Sequence, residues 1–227
     1  MSFVTLLPSE RKYVVGKILC LGQNYADHAK EMGGQTPSTP VIFLKPPTAI
    51  IKDGQPIEVP RISSDVHHEV ELAVLLEKGG KDIPQSSAFG HVAGYAVGLD
   101  MTMRDVQKEA KAAGNPWAVA KGFDTSAPLS SFVPKANVSD PHRLSISLKV
   151  NGVERQRSNT AKMIFKIDFI IAYLSTIFTL EEGDVIYTGT PEGVGRVVPG
   201  DLIDAEIEGV GTLHHPVVAR RANAGMS

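Results

Sequence analysis

The chain has 227 residues and a mass of 24.3 kDa, which is enough for one domain with a substantial core. Its formal net charge of -2 argues against nucleic acid or an anionic membrane as a partner, and no apolar run approaches the roughly 20 residues that cross a bilayer. This charge makes a small molecule the expected partner. The single cysteine, Cys20, excludes an internal disulfide, so we expect a cytoplasmic protein.

Three regions are predicted along the chain. Residues 1–16 are expected to form a loosely attached N-terminal arm, residues 17–218 a single domain, and residues 219–227 a flexible tail. The domain begins with a short apolar strand that contains Cys20, and a lone cysteine in such a strand is typical of a core position.

A very short helix is predicted after this strand, because Asn24 is a good N-cap and Gly33 a good stop signal. On that helix His28 and Glu31 are three residues apart and lie on one face. A histidine held by a carboxylate is suited to act as a general base for water, and a surface ion pair is the alternative. The loop at residues 33–40 suits a lid that closes on a substrate.

Two glutamates begin the most apolar strand of the chain. Glu69 and Glu71 are two residues apart, so in a strand their side chains share one face and can aim four oxygens at one point. Two such carboxylates repel each other unless a positive charge lies between them, so the pair indicates half of a metal site. The alternative is a solvated edge strand with both side chains in water.

Asp100 adds a third carboxylate at the end of a second strand, which is rich in small residues. If a helix starts at Asp100, then Arg104 and Gln107 lie on the same face of it, and a solvated helix face is the alternative. Lys121 follows the only tryptophan in a short apolar stretch and is a candidate for a fixed positive charge, although a lone lysine is usually solvated.

The rest of the chain is predicted to be framework. Asn151-Gly152 is the strongest hairpin signal, and residues 163–178 form a helix with a core-facing apolar stripe. The glycine-rich turn at residues 189–195 lacks the motifs of nucleotide-binding loops, which argues against a nucleotide. His214 and His215 are expected to be surface residues.

Glu69, Glu71 and Asp100 together form a hard donor set made only of oxygens. Such a set selects Mg²⁺ or Mn²⁺, with Ca²⁺ as a substitute, over Zn²⁺. An octahedral ion held by three side chains keeps about three positions for water or substrate, so the site suits catalysis better than structure.

Four segments make the sequence recognisable. They are NYADH at residues 24–28, HHEVEL at 67–72, LDMTMRDVQ at 99–107 and TGTPEGVG at 188–195. In this order they resemble the fumarylacetoacetate hydrolase family, and most of all its short branch of acylpyruvate hydrolases and oxaloacetate decarboxylases. The resemblance extends from about residue 17 to residue 218.

This resemblance implies an α+β, mainly β fold, a mixed β-roll with few helices, in a catalytic domain that usually forms a homodimer. It implies that Glu69, Glu71 and Asp100 bind Mg²⁺ or Mn²⁺, and that His28 and Glu31 activate water on a lid. Lys121 matches the family's active-site lysine and Thr190 its substrate-contacting threonine. Gln23, Arg104 and Gln107 are further candidate substrate-binding residues. Gln23 stands where mammalian members of the branch tend to carry arginine, which bears on the acyl end of the substrate.

The implied reaction is cleavage of a C–C bond next to a chelated 2-oxo acid. Chelation through the carboxylate and keto oxygens stabilises negative charge at C3, so C3 can leave. Water attack assisted by His28 would hydrolyse an acylpyruvate, whereas oxaloacetate would lose CO₂ without water. Hydrolysis of fumarylpyruvate or maleylpyruvate, or isomerisation of a 2-hydroxymuconate-type acid, is the alternative. A metal-binding protein without catalysis is a more distant one.

Overall fold

The computed structural model describes residues 1–220, which fold mainly into β-strands. The strands are β1 (Phe3–Leu6), β2 (Arg11–Val14), β3 (Ile18–Gly22), β4 (Val41–Lys45), β5 (Ile50–Lys52), β6 (Ile57–Val59), β7 (Val66–His68), β8 (Val70–Leu76), β9 (Val92–Leu99), β10 (Thr102–Met103), β11 (Ala127–Leu129), β12 (Val133–Pro134), β13 (Ser145–Val150), β14 (Val153–Asn159), β15 (Val185–Tyr187), β16 (Gly195–Val197), β17 (Leu202–Ile207) and β18 (Gly211–Ala219). The helices are α1 (Ala26–Glu31), α2 (Arg104–Ala113), α3 (Ala118–Lys121) and α4 (Ile167–Ile177), with short 3₁₀ turns at Pro47–Ala49, Gln85–His91, Lys135–Asn137 and Thr160–Lys162. The predicted α+β, mainly β class is confirmed.

The largest sheet has the strand order β4-β3-β15-β8-β9-β11-β5, and β12 also pairs with β9. It is mixed, because β15 runs parallel to β3 and β11 parallel to β5, whereas the other neighbours are antiparallel. A five-stranded sheet has the order β14-β13-β17-β18-β6, and a three-stranded sheet has the order β10-β7-β16. The two larger sheets and α4 share one apolar core, which contains Val74, Ile146 and Ile171.

Strand β8 is buried along its whole length because both of its faces meet apolar layers. Leu72 and Val74 belong to the core shared with the five-stranded sheet, while Ala73 and Leu75 belong to a second core on the opposite side. A strand enclosed in this way reads as continuously apolar, as the sequence does after Glu71. The strand lies between β15 and β9, so the solvated edge-strand alternative is wrong.

The N-terminal arm is not loosely attached, which corrects the prediction. β1 and β2 form an antiparallel hairpin, and Val4 and Tyr13 are buried in the second core. Phe132 holds the hairpin through two backbone hydrogen bonds, both at 2.8 Å. Its carbonyl oxygen accepts from Leu7 N, and its amide donates to Thr5 O. At the other end β18 runs to Ala219, so residue 219 does not belong to the predicted tail, and residues 221–227 lie outside the described chain.

Three helix starts differ from the predicted ones, and one of them is α4, which begins at Ile167 rather than at residue 163. Asn24 does not cap α1, because its Oδ1 accepts from Phe165 N at 2.7 Å and its Nδ2 donates to Thr188 O at 2.7 Å. Helix α2 begins at Arg104 rather than at Asp100, because Thr102 and Met103 pair with β7 as a strand. His215 is also buried, with 1% exposure, while His214 is exposed as expected. Within residues 1–220, none of the helices has the length and apolar character of a membrane span.

Candidate functional site

Three buried carboxylates converge where two sheets meet. Glu69 lies between β7 and β8, Glu71 is the second residue of β8, and Asp100 directly follows β9. The register of β8 and β9 places Glu71 opposite Gly98, and Asp100 N donates to Glu69 O at 2.9 Å. One carboxylate oxygen from each residue lies within 4.8 Å of the others. The structure thus brings the three predicted metal ligands together.

Lys121 lies among these carboxylates. From the end of α3 its Nζ donates to Glu69 Oε2 at 2.9 Å, to Asp100 Oδ2 at 2.6 Å and to Thr102 Oγ1 at 2.6 Å. These contacts use all three ammonium protons. Burial alone would lower the pKa of Lys121, but the charges of Asp100 and Glu69 raise it above its usual value, so the lysine stays charged. It is a fixed positive charge, as predicted, and not a solvated end.

Lys45 is a second buried lysine, and it was not predicted from the sequence. Its Nζ lies 2.8 Å from Asp100 Oδ1 and donates to the carbonyl oxygens of Met101, at 3.2 Å, and Lys121. A single lysine at the end of the apolar strand β4 gives little sequence signal, because such a residue normally reaches solvent. Lys45 is only 1% exposed.

The charges within the triad are unevenly balanced. Burial favours the neutral form of Glu69, but the charges of Lys121 and Arg104 outweigh it and hold the pKa of Glu69 well below its usual value. Burial raises the pKa of Glu71 well above its usual value, and the charges of Asp100 and Glu69 raise it further. A cation placed among the three carboxylates would oppose that repulsion. The donor set and its charge therefore fit a hard divalent cation such as Mg²⁺ or Mn²⁺.

The glycine-rich turn supports this arrangement through its backbone amides. Gly189 N donates to Glu71 Oε2 at 2.6 Å, and Gly193 N donates to Glu31 Oε1 at 3.0 Å. Gly189 has a φ of +96°, and a Cβ there would lie 2.6 Å from Asn24 Cβ. Only glycine fits this position without strain. The turn thus binds carboxylates of the protein itself, one in the triad and one on α1.

The predicted pair on α1 is formed. His28 Nδ1 lies 3.2 Å from Glu31 Oε2. Because His28 is only 4% exposed, the two residues do not form a solvated surface ion pair. The Glu31 carboxylate can only accept a hydrogen bond, so in the neutral ring the proton of His28 lies on Nδ1. The Nε2 atom then carries the free lone pair that can accept a proton. The second anchor of Glu31, the Gly193 amide, fixes the carboxylate that orients the histidine.

Arg104 and Gln107 lie on one face of α2. Arg104 Nη1 donates to Gln107 Oε1 at 2.7 Å, and Arg104 Nη2 donates to Glu69 Oε1. Lys111, one turn further on, lies 4.8 Å from the centre of the Trp117 ring, and burial followed by the charges of Arg104 and Lys121 lowers its pKa. The spacing of residues 104, 107 and 111 was a helical signal that could have identified Lys111.

These side chains line a cleft. Eight of the ten predicted site residues line it: Gln23, His28, Glu69, Glu71, Arg104, Gln107, Lys121 and Thr190. Asp100 lies behind this lining as a partner of Lys121, and Glu31 lies behind it as the partner of His28. The lining residues not predicted are Leu21, Gly22, Met32, Phe43, Lys111 and Trp117.

Gln23 and Thr190 differ in how they are held. Gln23 has a φ of +58°, in the left-handed region that favours glycine, which points to a backbone fixed by its surroundings. Thr190 is 2% exposed, and its Oγ1 accepts a hydrogen bond of 2.8 Å from Gln156 Nε2. Gln156 belongs to the hairpin of the five-stranded sheet, and no motif in the sequence connects it with the site.

Comparisons with known proteins agree with this geometry. Residues 17–218 match the family described as fumarylacetoacetate (FAA) hydrolase C-terminal. The chain is 53% identical over 211 residues to a Mus musculus protein named oxaloacetate tautomerase FAHD1, mitochondrial, and the match covers 92% of this chain and 96% of the mouse protein.

Solved structures show the same fold. A fumarylpyruvate hydrolase from Pseudomonas aeruginosa, crystallised with Mn²⁺ and pyruvate, superposes with a TM-score of 0.91 at 40% identity, covering 96% of both chains. A 5-carboxymethyl-2-hydroxymuconate delta-isomerase from Mycobacterium smegmatis superposes with a TM-score of 0.82 at 42% identity, covering 92% of this chain and 81% of that one. The chain therefore belongs to the fumarylacetoacetate hydrolase family.

Proposed function

We propose that this protein is a divalent-metal-dependent enzyme that cleaves a C–C bond next to a 2-oxo acid, by hydrolysis of an acylpyruvate, by decarboxylation of oxaloacetate, or by both. One observation carries the proposal. The buried carboxylate triad lies at the same cleft as His28, whose Nδ1 atom is held by Glu31. A metal-binding protein without catalysis would need only Glu69, Glu71 and Asp100.

The relatives support the substrate class. The P. aeruginosa structure contains Mn²⁺ together with pyruvate, a 2-oxo acid, and the mouse relative is named for oxaloacetate, which is another. We assign the metal to Glu69, Glu71 and Asp100, with Mg²⁺ or Mn²⁺ as the ion and Ca²⁺ as a substitute. When bound, the ion supplies positive charge that favours negative charge on the adjacent 2-oxo acid.

The residues around the triad would bind and orient the substrate. Arg104 and Gln107 present polar groups from one face of α2, and Gln23 and Thr190 lie elsewhere along the cleft. Lys121 acts through its charge, because its three protons are already donated to Glu69, Asp100 and Thr102. Lys121 therefore has no ammonium proton left for a direct hydrogen bond to the attacked carbonyl.

In acylpyruvate hydrolysis His28 Nε2 would accept a proton from water, and the resulting hydroxide would attack the distal carbonyl. The bond between C3 and that carbonyl carbon then breaks, and its electron pair stays on C3, which takes up the proton held by His28. The products are pyruvate and a carboxylic acid. Decarboxylation of oxaloacetate requires the same stabilisation of charge at C3 but no attack by water, so His28 has no role in breaking that bond.

Proton transfer without bond cleavage is the second candidate. The curated relative is named a tautomerase and the M. smegmatis relative an isomerase, and both names describe movement of a proton within the substrate. His28 could carry that proton between substrate atoms. Isomerisation of a 2-hydroxymuconate-type acid belongs to this candidate. Hydrolysis of fumarylpyruvate or maleylpyruvate, the other alternative, breaks a C–C bond as in the first candidate. The homodimer and the cytoplasmic location both stay predictions.

A substrate panel tests the proposal. The purified protein, with Mn²⁺ or Mg²⁺ and with a chelator as the control, is given acetylpyruvate, oxaloacetate, fumarylpyruvate and maleylpyruvate, and products are quantified. We expect metal-dependent release of pyruvate from at least one of them. Interconversion of keto and enol oxaloacetate without pyruvate release would favour the tautomerase candidate. If no substrate changes while the metal is bound, both enzyme candidates are wrong.

A further inference from the structure

Gln156 is a buried amide that makes four hydrogen bonds directly behind the cleft. It lies on β14, is 1% exposed, and does not line the cleft. Its Oε1 lies 3.1 Å from Val70 N and 3.0 Å from His68 Nδ1. Its Nε2 lies 2.8 Å from Thr190 Oγ1 and 2.9 Å from Pro191 O.

The orientation of this amide follows from partners that have only one possible role. The Val70 amide can only donate, so the atom it meets is the oxygen of Gln156, and the Pro191 carbonyl can only accept, so the atom it meets is the nitrogen. The same nitrogen then donates its other hydrogen to Thr190 Oγ1. His68 must also donate to the oxygen from Nδ1.

This orientation constrains the Thr190 hydroxyl. Its oxygen accepts from Gln156, so its own proton must point away from Gln156. Among residues 1–220, Gln156 is the hydrogen-bond partner found for Thr190 Oγ1, and Thr190 lines the cleft. The proton is thereby free to be donated to a ligand there.

The same amide also holds the metal triad. His68 and Val70 are the residues on either side of Glu69, and both meet Gln156 Oε1. One side chain thus connects the backbone that carries a proposed metal ligand with the hydroxyl of a proposed substrate contact. Because all of its hydrogen-bonding groups are used in a buried setting, the amide has no alternative arrangement of comparable energy.

We propose that Gln156 is a positioning residue that fixes the Thr190 hydroxyl as a hydrogen-bond donor to the substrate. The inference rests on the proposed function, because the ligand that accepts this hydrogen bond is the 2-oxo acid. Gln156 does not touch the substrate, and its effect passes through Thr190.

The test measures oxalate binding at saturating Mn²⁺ by calorimetry. Oxalate presents two adjacent oxygens with the spacing of the carboxylate and keto oxygens of a 2-oxo acid, and it requires no turnover. The variants are Gln156→Met, the isosteric Gln156→Glu, Thr190→Val, Thr190→Ser and the double variant of Gln156→Met with Thr190→Val. Arg157→Gln, an exposed residue next to Gln156 in β14, is the control. Circular dichroism verifies that each variant is folded.

We expect Thr190→Val and Gln156→Met each to weaken oxalate binding about tenfold. The double variant should weaken it by no more than about tenfold, because both substitutions affect the same hydrogen bond, from the Thr190 hydroxyl to oxalate. Gln156→Glu should weaken oxalate binding by the same factor, since its carboxylate would accept the proton of the Thr190 hydroxyl. Thr190→Ser, which keeps the hydroxyl, should bind oxalate more tightly than Thr190→Val, and Arg157→Gln should bind within about twofold of the unchanged protein. Since Mn²⁺ is saturating, altered metal affinity does not contribute.

One result would contradict the positioning role alone, and another would contradict the proposed function as well. Losses that add to about a hundredfold in the double variant, or full binding by Gln156→Glu, would overturn the positioning role and leave the proposed function intact. No binding of oxalate by the unchanged protein with Mn²⁺ present would overturn the proposed function and this inference with it. If Gln156→Met does not fold, the isosteric Gln156→Glu decides the question.

Discussion

The amide of Gly189 donates a 2.6 Å hydrogen bond to Glu71 Oε2, and this contact joins the glycine-rich turn to the metal triad. Two backbone amides of the turn bind carboxylates of the protein itself, those of Glu71 and Glu31. The first of these amides binds Glu71, whose pKa is raised well above its usual value by burial and by the charges of Asp100 and Glu69. The position tolerates no side chain, because a Cβ would lie 2.6 Å from Asn24 Cβ.

Gly189→Ala should therefore damage both stability and metal binding. The left-handed φ of +96° alone costs about 1–3 kcal/mol for alanine, and the contact with Asn24 adds to it. Displacement of the amide from Glu71 should also weaken Mn²⁺ binding. The matched control is Gly200→Ala, where φ is +103° but a Cβ would meet nothing within 4 Å.

Urea unfolding and Mn²⁺ titration measure the two effects. Gly200→Ala should lose stability from backbone strain alone and should keep its Mn²⁺ affinity. An equal loss of stability in the two variants, with Mn²⁺ affinity unchanged in Gly189→Ala, would show that the contact with Glu71 is unimportant.

His28→Ala should separate hydrolysis from decarboxylation. Loss of the general base should slow acylpyruvate hydrolysis by roughly 10²-fold or more, while oxaloacetate decarboxylation, which needs no water, should suffer less. Glu31→Gln keeps a hydrogen-bond acceptor near His28 Nδ1 and should have a smaller effect on hydrolysis. Rates for both substrates are measured at saturating Mn²⁺. Equal losses in both reactions would contradict the water-activation role.

Lys45→Met should destabilise the metal-free protein strongly and increase its response to Mn²⁺. Removal of one partner from a buried ion pair costs about 3–5 kcal/mol, and here Asp100 keeps only Lys121 as a positive neighbour. Mn²⁺ would replace part of that charge, so the increase in unfolding free energy on adding Mn²⁺ should be larger than in the unchanged protein.

The control for Lys45→Met is Lys135→Met, which breaks a half-exposed pair with Glu77 and should cost less than about 1 kcal/mol. Urea unfolding with and without Mn²⁺ provides both numbers. A Mn²⁺ response in Lys45→Met equal to or smaller than that of the unchanged protein would mean that Lys45 does not balance the triad.

His215 should make the protein less stable in mild acid. Burial lowers the pKa of its imidazole, although the hydrogen bond of Nδ1 with Gln55 O opposes this, and within residues 1–220 the buried Nε2 has no hydrogen-bond partner. The unfolded chain therefore takes up a proton as the pH falls through about 6.5, while the folded chain resists it, and stability is lost. Between about pH 7.5 and about pH 5 this loss is at most about 2 kcal/mol.

Urea unfolding at the two pH values measures the slope, which is the change of unfolding free energy with pH. His215→Gln should reduce this slope. His214→Gln is the matched control, because the neighbouring ring is more than half exposed, and its slope should match that of the unchanged protein. An unchanged slope in His215→Gln would assign the acid sensitivity to other groups.

The triad could be predicted from the sequence because its geometry is local. Glu69 and Glu71 are two residues apart, which is the period of a strand, and Asp100 directly follows the adjacent strand, so short-range patterns already placed the carboxylates close together. His28 and Glu31 are likewise neighbours through helical spacing. The mainly β fold followed from the resemblance, and the family match and the superposed structures confirm it.

Lys45 and Gln156 could not be predicted because their roles depend on contacts between distant segments. Lys45 meets Asp100 across 55 residues of sequence, and Gln156 meets Val70 across 86. Neither residue type is unusual in a strand, so only the assembled sheets show that both are buried. The N-terminal hairpin was missed for a similar reason, since its few apolar residues gain their partners from the second core.

The most direct measurement is a crystal structure of the protein with Mn²⁺ and pyruvate, with the metal located by its anomalous scattering. We expect one manganese peak within bonding distance, about 2.0–2.4 Å, of oxygens from Glu69, Glu71 and Asp100, with pyruvate bound to the same ion and contacted by Thr190. Manganese bound away from the three carboxylates, or pyruvate bound away from the manganese, would contradict it.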